Sequence, residues 1–202
     1  MNVEQVKSSV FTSNTYIISE ELSDEVWLID VGELKGVLKL LGENQHIKGV
    51  FITHPHYDHI FEINNLLSQF PNCLVFASEV GRDGLYCSKL NLSRYHEMGV
   101  VFEGDKVQVL QDNDRIELFK NCQLEVMATP GHDWSCLTYQ VGDYLFTGDS
   151  YIPNVEVVTK LRGGNREANR RSLVNIMDRF TEHTIVCPGH GDMVSAPLLV
   201  PS

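Results

Sequence analysis

Apolar and β-branched residues in this chain gather in short stretches separated by turn formers. Residues 10–18, 26–31, 50–53, 74–77, 123–129, 137–141 and 144–147 read as strands. Residues 184–187 read as a last short strand, stopped by Pro188-Gly189. The run Val26-Trp27-Leu28-Ile29 is continuously apolar, the pattern of a strand covered on both faces. Helical spacing appears three times. Residues 34–41 form a short candidate. Ile60, Ile63, Leu66 and Leu67 recur with the period of a helix of about ten residues. Residues 168–180 carry Leu173, Ile176, Met177 and Phe180 on one face, with Asn165 as N-cap. Residues 81–99 show no clear period and read as a long surface loop with a helical turn. Strands interspersed with helices predict an α/β chain, two sheets with helices outside them.

Composition narrows the class. The chain has 202 residues, 43% hydrophobic and 21% charged, which excludes disordered and fibrous proteins. No period repeats, and no apolar run reaches the roughly 20 residues of a membrane span. The opening M-N-V-E-Q-V-K lacks the basic-then-apolar build of a secretory signal. A net charge of −11 repels phosphate backbones. Cys73, Cys87, Cys122, Cys136 and Cys187 are odd in number and form no C-x-x-C pair, the usage of reduced thiols. The expectation is one cytoplasmic domain over residues 1–202, with a small-molecule substrate and neither nucleic acid nor membrane as partner. A homo-oligomer is compatible with this reading.

The eight histidines carry the chemistry. Three fall in six residues, His54-Pro55-His56-Tyr57-Asp58-His59, after one predicted strand and before a predicted helix. Strand ends are where α/β proteins present ligand-binding side chains. If the segment is extended, His54, His56 and Asp58 share a side and His59 points elsewhere. Two imidazoles and a carboxylate together, with a third imidazole beside them, suit borderline metal ions. Three later segments repeat one plan, an apolar strand and then a glycine turn bearing one ligand-type residue. They are T-P-G-H ending at His132, F-T-G-D-S around Asp149, and P-G-H-G around His190. Five His and two Asp suffice for two ions with a shared ligand.

These runs, in this order, resemble the metallo-β-lactamase-fold hydrolases, over residues 10 to 191. The segment Leu28-Ile29-Asp30-Val31-Gly32 fits the family's early I-D-x-G element. The resemblance implies an αββα sandwich of two mixed β-sheets with a dinuclear metal site. It assigns His54, His56 and His132 to the first ion, Asp58, His59 and His190 to the second, and Asp149 as the bridge. It further implies a metal-bound hydroxide, two zinc ions per chain, and a glyoxalase II-like cleavage of a small thioester, ester or lactone. Iron or manganese suits the same donors. Asp58 is the catalytic residue in this reading, orienting the nucleophilic water. The alternative is a mononuclear iron oxygenase of the persulfide dioxygenase type, using His56, His132 and Asp149.

Some positions depart from the family. After His132 the chain reads Asp133-Trp134-Ser135-Cys136 where T-P-G-S is common, and Ile60-Phe61-Glu62 lacks the usual glycine. Asp149 stands where zinc β-lactamases of one kind carry Cys, so antibiotic hydrolysis is not the expected activity. The chain ends 12 residues after His190, and no helical C-terminal substrate domain like that of full-length glyoxalase II is expected.

Other residues are read more plainly. Asp30, at a strand end, braces a ligand or a loop. Cys136 and Cys187 are read as core, and His46, His96 and His183 as outside the site. Tyr57, Tyr86, Tyr95 and Trp134 serve as cleft rim or core. Lys160 and Arg162 alternate with Thr159 and Leu161, which in an extended segment turns both cations to one side, either to meet an anionic substrate group or as the solubilising charges of a surface loop.

Overall fold

The computed structural model describes residues 1–97 and 99–196. The chain divides into two compact units, one of Met1–Val109 and one from Leu110 onward.

The first unit runs β1 (Asn2–Lys7), β2 (Asn14–Ser19), β3 (Glu25–Ile29), α1 (Leu34–Leu40), β4 (His46–Phe51), α2 (Ile63–Gln69), β5 (Leu74–Ser78) and α3 (Glu79–Leu85), and its boundary at Val109 falls within β6 (Gln108–Leu110). These strands form one six-stranded sheet in chain order. β1, β2 and β3 pair antiparallel; β3, β4 and β5 pair parallel. The sheet is therefore mixed, and the C-terminal ends of β3 and β4 lie side by side. Val26, Leu28, Val50, Ile52, Val37, Ile60, Ile63 and Leu66 form its core and are almost fully buried. Burying such a side chain contributes about 1.5–3 kcal/mol.

The second unit holds β7 (Arg115–Phe119), β8 (Cys122–Ala128), β9 (Leu137–Val141), β10 (Tyr144–Gly148), α4 (Arg166–Met177), β11 (Ile185–Pro188) and β12 (Val194–Ser195). Its sheet has the order β12-β11-β10-β9-β8-β7. β8 and β10 are each antiparallel to β9, and β10 and β11 are parallel. β8, β10 and β11 thus run in one direction and end at one edge of the sheet. Met127, Leu145 and Ile176 are buried there, with Tyr151 and Phe180 against them.

Two mixed sheets with helices are what the sequence predicts, with local differences. The segment read as a strand from residue 10 begins at Asn14, because Ser8 to Ser13 close a turn through Ser8 N–H→Ser13 O, with Thr12 left-handed. α2 begins at Ile63, since a 3₁₀ turn uses Tyr57–His59. Part of the segment read as a loop is α3, capped by Ser78, whose hydroxyl accepts from Gly81 N–H at 3.0 Å. β1, β6, β7 and β12 are strands that the pattern did not predict. α4 starts where Asn165 caps it, its side chain accepting from Ala168 N–H at 2.9 Å. Its buried stripe is Asn169, Ser172 and Ile176, and Met177 is 47% exposed, so the expected apolar face is rotated. Asn169 and Ser172 donate to the Ser150 and Pro130 carbonyls, which need donors more than apolar cover.

All five cysteines are free. Burial pushes the Cys73 thiol up to about 12 and raises those of Cys136 and Cys187 as well. No described helix is long and apolar enough to cross a membrane.

Candidate metal centre

In the first unit the donors follow β4. His54 and His56 lie in the segment leaving it, and Asp58 and His59 in the 3₁₀ turn Tyr57–His59. The segment is thus not extended through Asp58, as the side-chain alternation had required. A 3₁₀ bond, His59 N–H→His56 O at 2.9 Å, folds it back and brings Asp58 and His59 together. Asp58 Oδ2 and His59 Nε2 lie 3.6 Å apart. Ligand atoms of His54 and His56 lie within 4.8 Å of each other, as do those of His54 and His59.

Asp30 organises these side chains. It sits at the end of β3 with φ 57°, a conformation that Asp tolerates better than most residues. Its Oδ1 accepts from Thr53 N–H at 2.7 Å; its Oδ2 accepts from the Thr53 hydroxyl at 2.7 Å and from His59 Nδ1 at 2.8 Å. Burial raises its pKa, and the adjoining His59 and Thr53 donors oppose that rise. Three donors on two oxygens satisfy a carboxylate, not a carboxylic acid. The Thr53 hydroxyl, having donated to Asp30, accepts from His54 Nδ1 at 3.0 Å. His54 and His59 therefore carry their protons on Nδ1, which leaves the Nε2 lone pair as metal donor. Ser13 fixes the turn from outside, its hydroxyl donating to the Asp58 carbonyl at 2.7 Å.

In the second unit the donors follow β8, β10 and β11, the three strands that end at one edge. The parallel pairing of β10 with β11, closed by Gly189 N–H→Gly148 O at 2.8 Å, sets Asp149 and His190 on adjacent strand ends. Asp149 Oδ2 stands 3.6 Å from His132 Nε2 and 3.7 Å from His190 Nε2. One carboxylate oxygen thus lies between two imidazole nitrogens, beyond hydrogen-bond reach of both. His132 Nδ1 donates to the Val158 carbonyl at 2.8 Å, so here too the lone pair that could serve a metal is on Nε2. The Thr129 and Ser150 hydroxyls bond at 3.0 Å and join the two turns. Gly131 has φ 149°, and a Cβ there would overlap the Asn169 backbone, so α4 sits directly on the His132 turn.

The remaining predicted residues are less engaged. Lys160 and Arg162 are exposed, and Arg162 lies in a turn closed by Gly164 N–H→Leu161 O, so the extended alternation does not reach it. Tyr57 is core, edge-on to Phe11 and stacked on His96 at 4.3 Å. Trp134 and Tyr95 are exposed; Cys136 and Cys187 are buried, as read. Sequence reasoning missed Thr53, Ser13 and the Val158 carbonyl. Thr53 could have been found from its place between a strand end and the histidine run. A backbone carbonyl leaves no mark in the sequence.

A family model described as the metallo-beta-lactamase superfamily matches residues 9–192, a span that contains all seven donors. The chain belongs to the metallo-beta-lactamase superfamily. Members of this superfamily, hydroxyacylglutathione hydrolase among them, are metallo-hydrolases, and the superfamily's fold binds divalent metals. An uncharacterized protein of Mycobacterium tuberculosis is 25% identical over 201 residues, covering 92% of this chain and 88% of that one. The hydroxyacylglutathione hydrolase of Klebsiella pneumoniae is 26% identical over 181 residues, covering 89% of this chain. The chain matches 62% of that enzyme's length. Among solved structures, the BLEG-1 B3 metallo-beta-lactamase superposes with a TM-score of 0.87 at 24% identity, over 97% of this chain and 95% of that one. ETHE1 from Myxococcus xanthus gives 0.76 at 24% identity, over 98% and 80%. At these identities the structural matches establish the fold. The two mixed sheets with flanking helices are the superfamily fold.

Proposed function

We propose that this superfamily member hydrolyses a small thioester, ester or lactone with two ions, zinc by preference. His54, His56 and His132 would hold one ion, Asp58, His59 and His190 the other, and Asp149 would be their shared ligand. The observation that carries this reading is Asp149 Oδ2 flanked at 3.6 and 3.7 Å by the Nε2 atoms of His132 and His190. The donor chemistry fits: neutral imidazoles whose tautomers are fixed through Nδ1, and carboxylates, suit zinc or iron. When bound, such ions supply Lewis acidity that ionises water near neutral pH and polarises a carbonyl. The protein supplies the rest. Asp30 and Val158 hold the imidazoles in place. Asp58, the more open carboxylate at 25% exposed, accepts a hydrogen bond from the attacking water and orients it. Lys160 and Arg162 meet an anionic group of the substrate. The hydroxyacylglutathione hydrolase relative supports the thioester class, and the free thiols support a reducing cytoplasm.

The test is elemental analysis of the purified protein, with hydrolysis of S-lactoylglutathione before and after chelation. About two zinc equivalents per chain and a rate restored by zinc support the reading. A single tightly held iron with oxygen uptake on a persulfide would replace it with the dioxygenase chemistry of His56, His132 and Asp149.

A further inference from the structure

Residues 155–164 are tied to the turn bearing His132, and each tie lies within the second unit. The Val158 carbonyl accepts from His132 Nδ1 at 2.8 Å. Just beyond, Asn165 N–H donates to the Gly131 carbonyl at 2.8 Å. Between these points Asp133 faces Gly163. Asp133 is 8% exposed, and its Oδ1 accepts from Ser135 N–H at 2.8 Å and from the Ser135 hydroxyl. Its Oδ2 fills the space that any side chain at 163 would need. Gly163 also has φ 85°, a conformation costly for other residues. A buried carboxylate is thus fixed by Ser135 on one side and seated against a left-handed glycine on the other. Asp133 belongs to the D-W-S-C run that departs from the family's usual sequence, and it is not among the seven donors.

We propose that Asp133 and Gly163 form a clasp that holds residues 155–164 against the His132 turn, which makes Asp133 a positioning residue for both metal retention and substrate choice. The physical link is the His132–Val158 bond. It orients the imidazole only while the segment stays in place, and outer partners of this kind typically contribute 10–100-fold in metal affinity. The same segment carries Lys160 and Arg162, so its placement also sets where an anionic substrate is met. The inference rests on the reading of His132 as a metal ligand and of the segment as substrate-recognising.

The test compares Asp133→Ala, Asp133→Asn, Gly163→Ala and the Asp133→Ala/Gly163→Ala pair in the full chain. Brief trypsin digestion reads cleavage after Lys160 and Arg162. Chelator competition reads zinc retention. Steady-state kinetics on S-lactoylglutathione separate KM from kcat. Asp133→Ala and Gly163→Ala should each raise cleavage at these two sites about tenfold and weaken zinc retention about tenfold, with KM raised more than kcat is lowered. The pair should fall short of the combined single effects, because removing the carboxylate makes room for the methyl group and leaves only the strain of φ 85° at 163. Asp133→Asn keeps the acceptor and the shape and should stay within about twofold of wild type. Wild-type cleavage and zinc retention in both Asp133→Ala and Gly163→Ala would overturn the clasp. So would faster cleavage spread evenly over all Lys and Arg sites, the mark of general loosening. If the wild-type protein hydrolyses no thioester, the functional reading fails, and site-specific cleavage still decides the clasp.

Discussion

Replacing Asp30 by Ala should lower stability far more than a typical substitution, and the amount follows from the bonds it makes. The carboxylate is 2% exposed and takes three hydrogen bonds, from Thr53 N–H, the Thr53 hydroxyl and His59 Nδ1. Alanine leaves the buried Thr53 amide and His59 ring without this acceptor, at about 1–3 kcal/mol for each stranded donor. The left-handed backbone, φ 57°, adds about 1 kcal/mol, since alanine tolerates it less well than aspartate. Relief of the carboxylate's own desolvation offsets part of this, for a net loss of about 3–5 kcal/mol. In a chain of 202 residues that corresponds to a fall in Tm of about 10 °C. Asp30→Asn keeps one acceptor and tolerates the backbone, so it should lose about half as much. The assay is urea unfolding of metal-stripped protein, which isolates the network from ion binding. An Asp30→Ala variant within about 1 kcal/mol of wild type under those conditions would refute the reasoning.

Three further expectations follow from the geometry. Asp58→Ala should reduce the zinc content by about one equivalent and abolish thioester hydrolysis, while cooperative unfolding by circular dichroism is retained, because the unit's core does not depend on a loop carboxylate. Replacing Lys160 and Arg162 together by Ala should raise KM for S-lactoylglutathione several-fold with little change in kcat, at unchanged metal content. An equal shift for a neutral ester would exclude charge recognition. Glu33 accepts from Ser9 N–H at 2.7 Å, which holds its carboxyl below its ordinary value of 4.5. A depressed carboxyl stabilises the fold while ionised, so Glu33→Gln should cost up to about 1 kcal/mol at neutral pH in the metal-free protein. That difference should vanish as pH falls below 4.5 through the folded-state value, and urea titrations at several pH values would show it.

The candidate donors were legible because chemistry concentrates them: three imidazoles in six residues, and glycine turns after apolar strands. The central strands were legible for a related reason, since β3 and β4 are buried on both faces and read as apolar runs. β1 and β7 were not. Both lie at sheet edges; Asn2–Lys7 has its apolar residues three apart, which breaks the alternation, and Arg115–Phe119 alternates over only four residues, too short a run among charged neighbours to stand out. The inner face of α4 was misread because Asn169 and Ser172 are buried to satisfy carbonyls of the site turns, a demand that periodicity does not register. The 3₁₀ turn at Tyr57–His59 was hidden as well. Nothing in H-P-H-Y-D-H distinguishes a continuing strand from a chain that doubles back, and the choice is made by Ser13 and Asp30, 45 and 29 residues away from their partners.

The buried thiols give the molecule built-in reporters of breathing motions. Cys73 lies in the first unit, Cys136 and Cys187 in the second, and each is protonated and shielded in the folded chain. A disulfide reagent reaches such a sulfur only when its surroundings open, so the modification rate measures the free energy of that opening. Mass mapping of the modified cysteines over time would give one clock for each half of the polypeptide. Zinc added before the reagent should slow the Cys136 and Cys187 clocks, since these thiols lie four residues after His132 and three before His190.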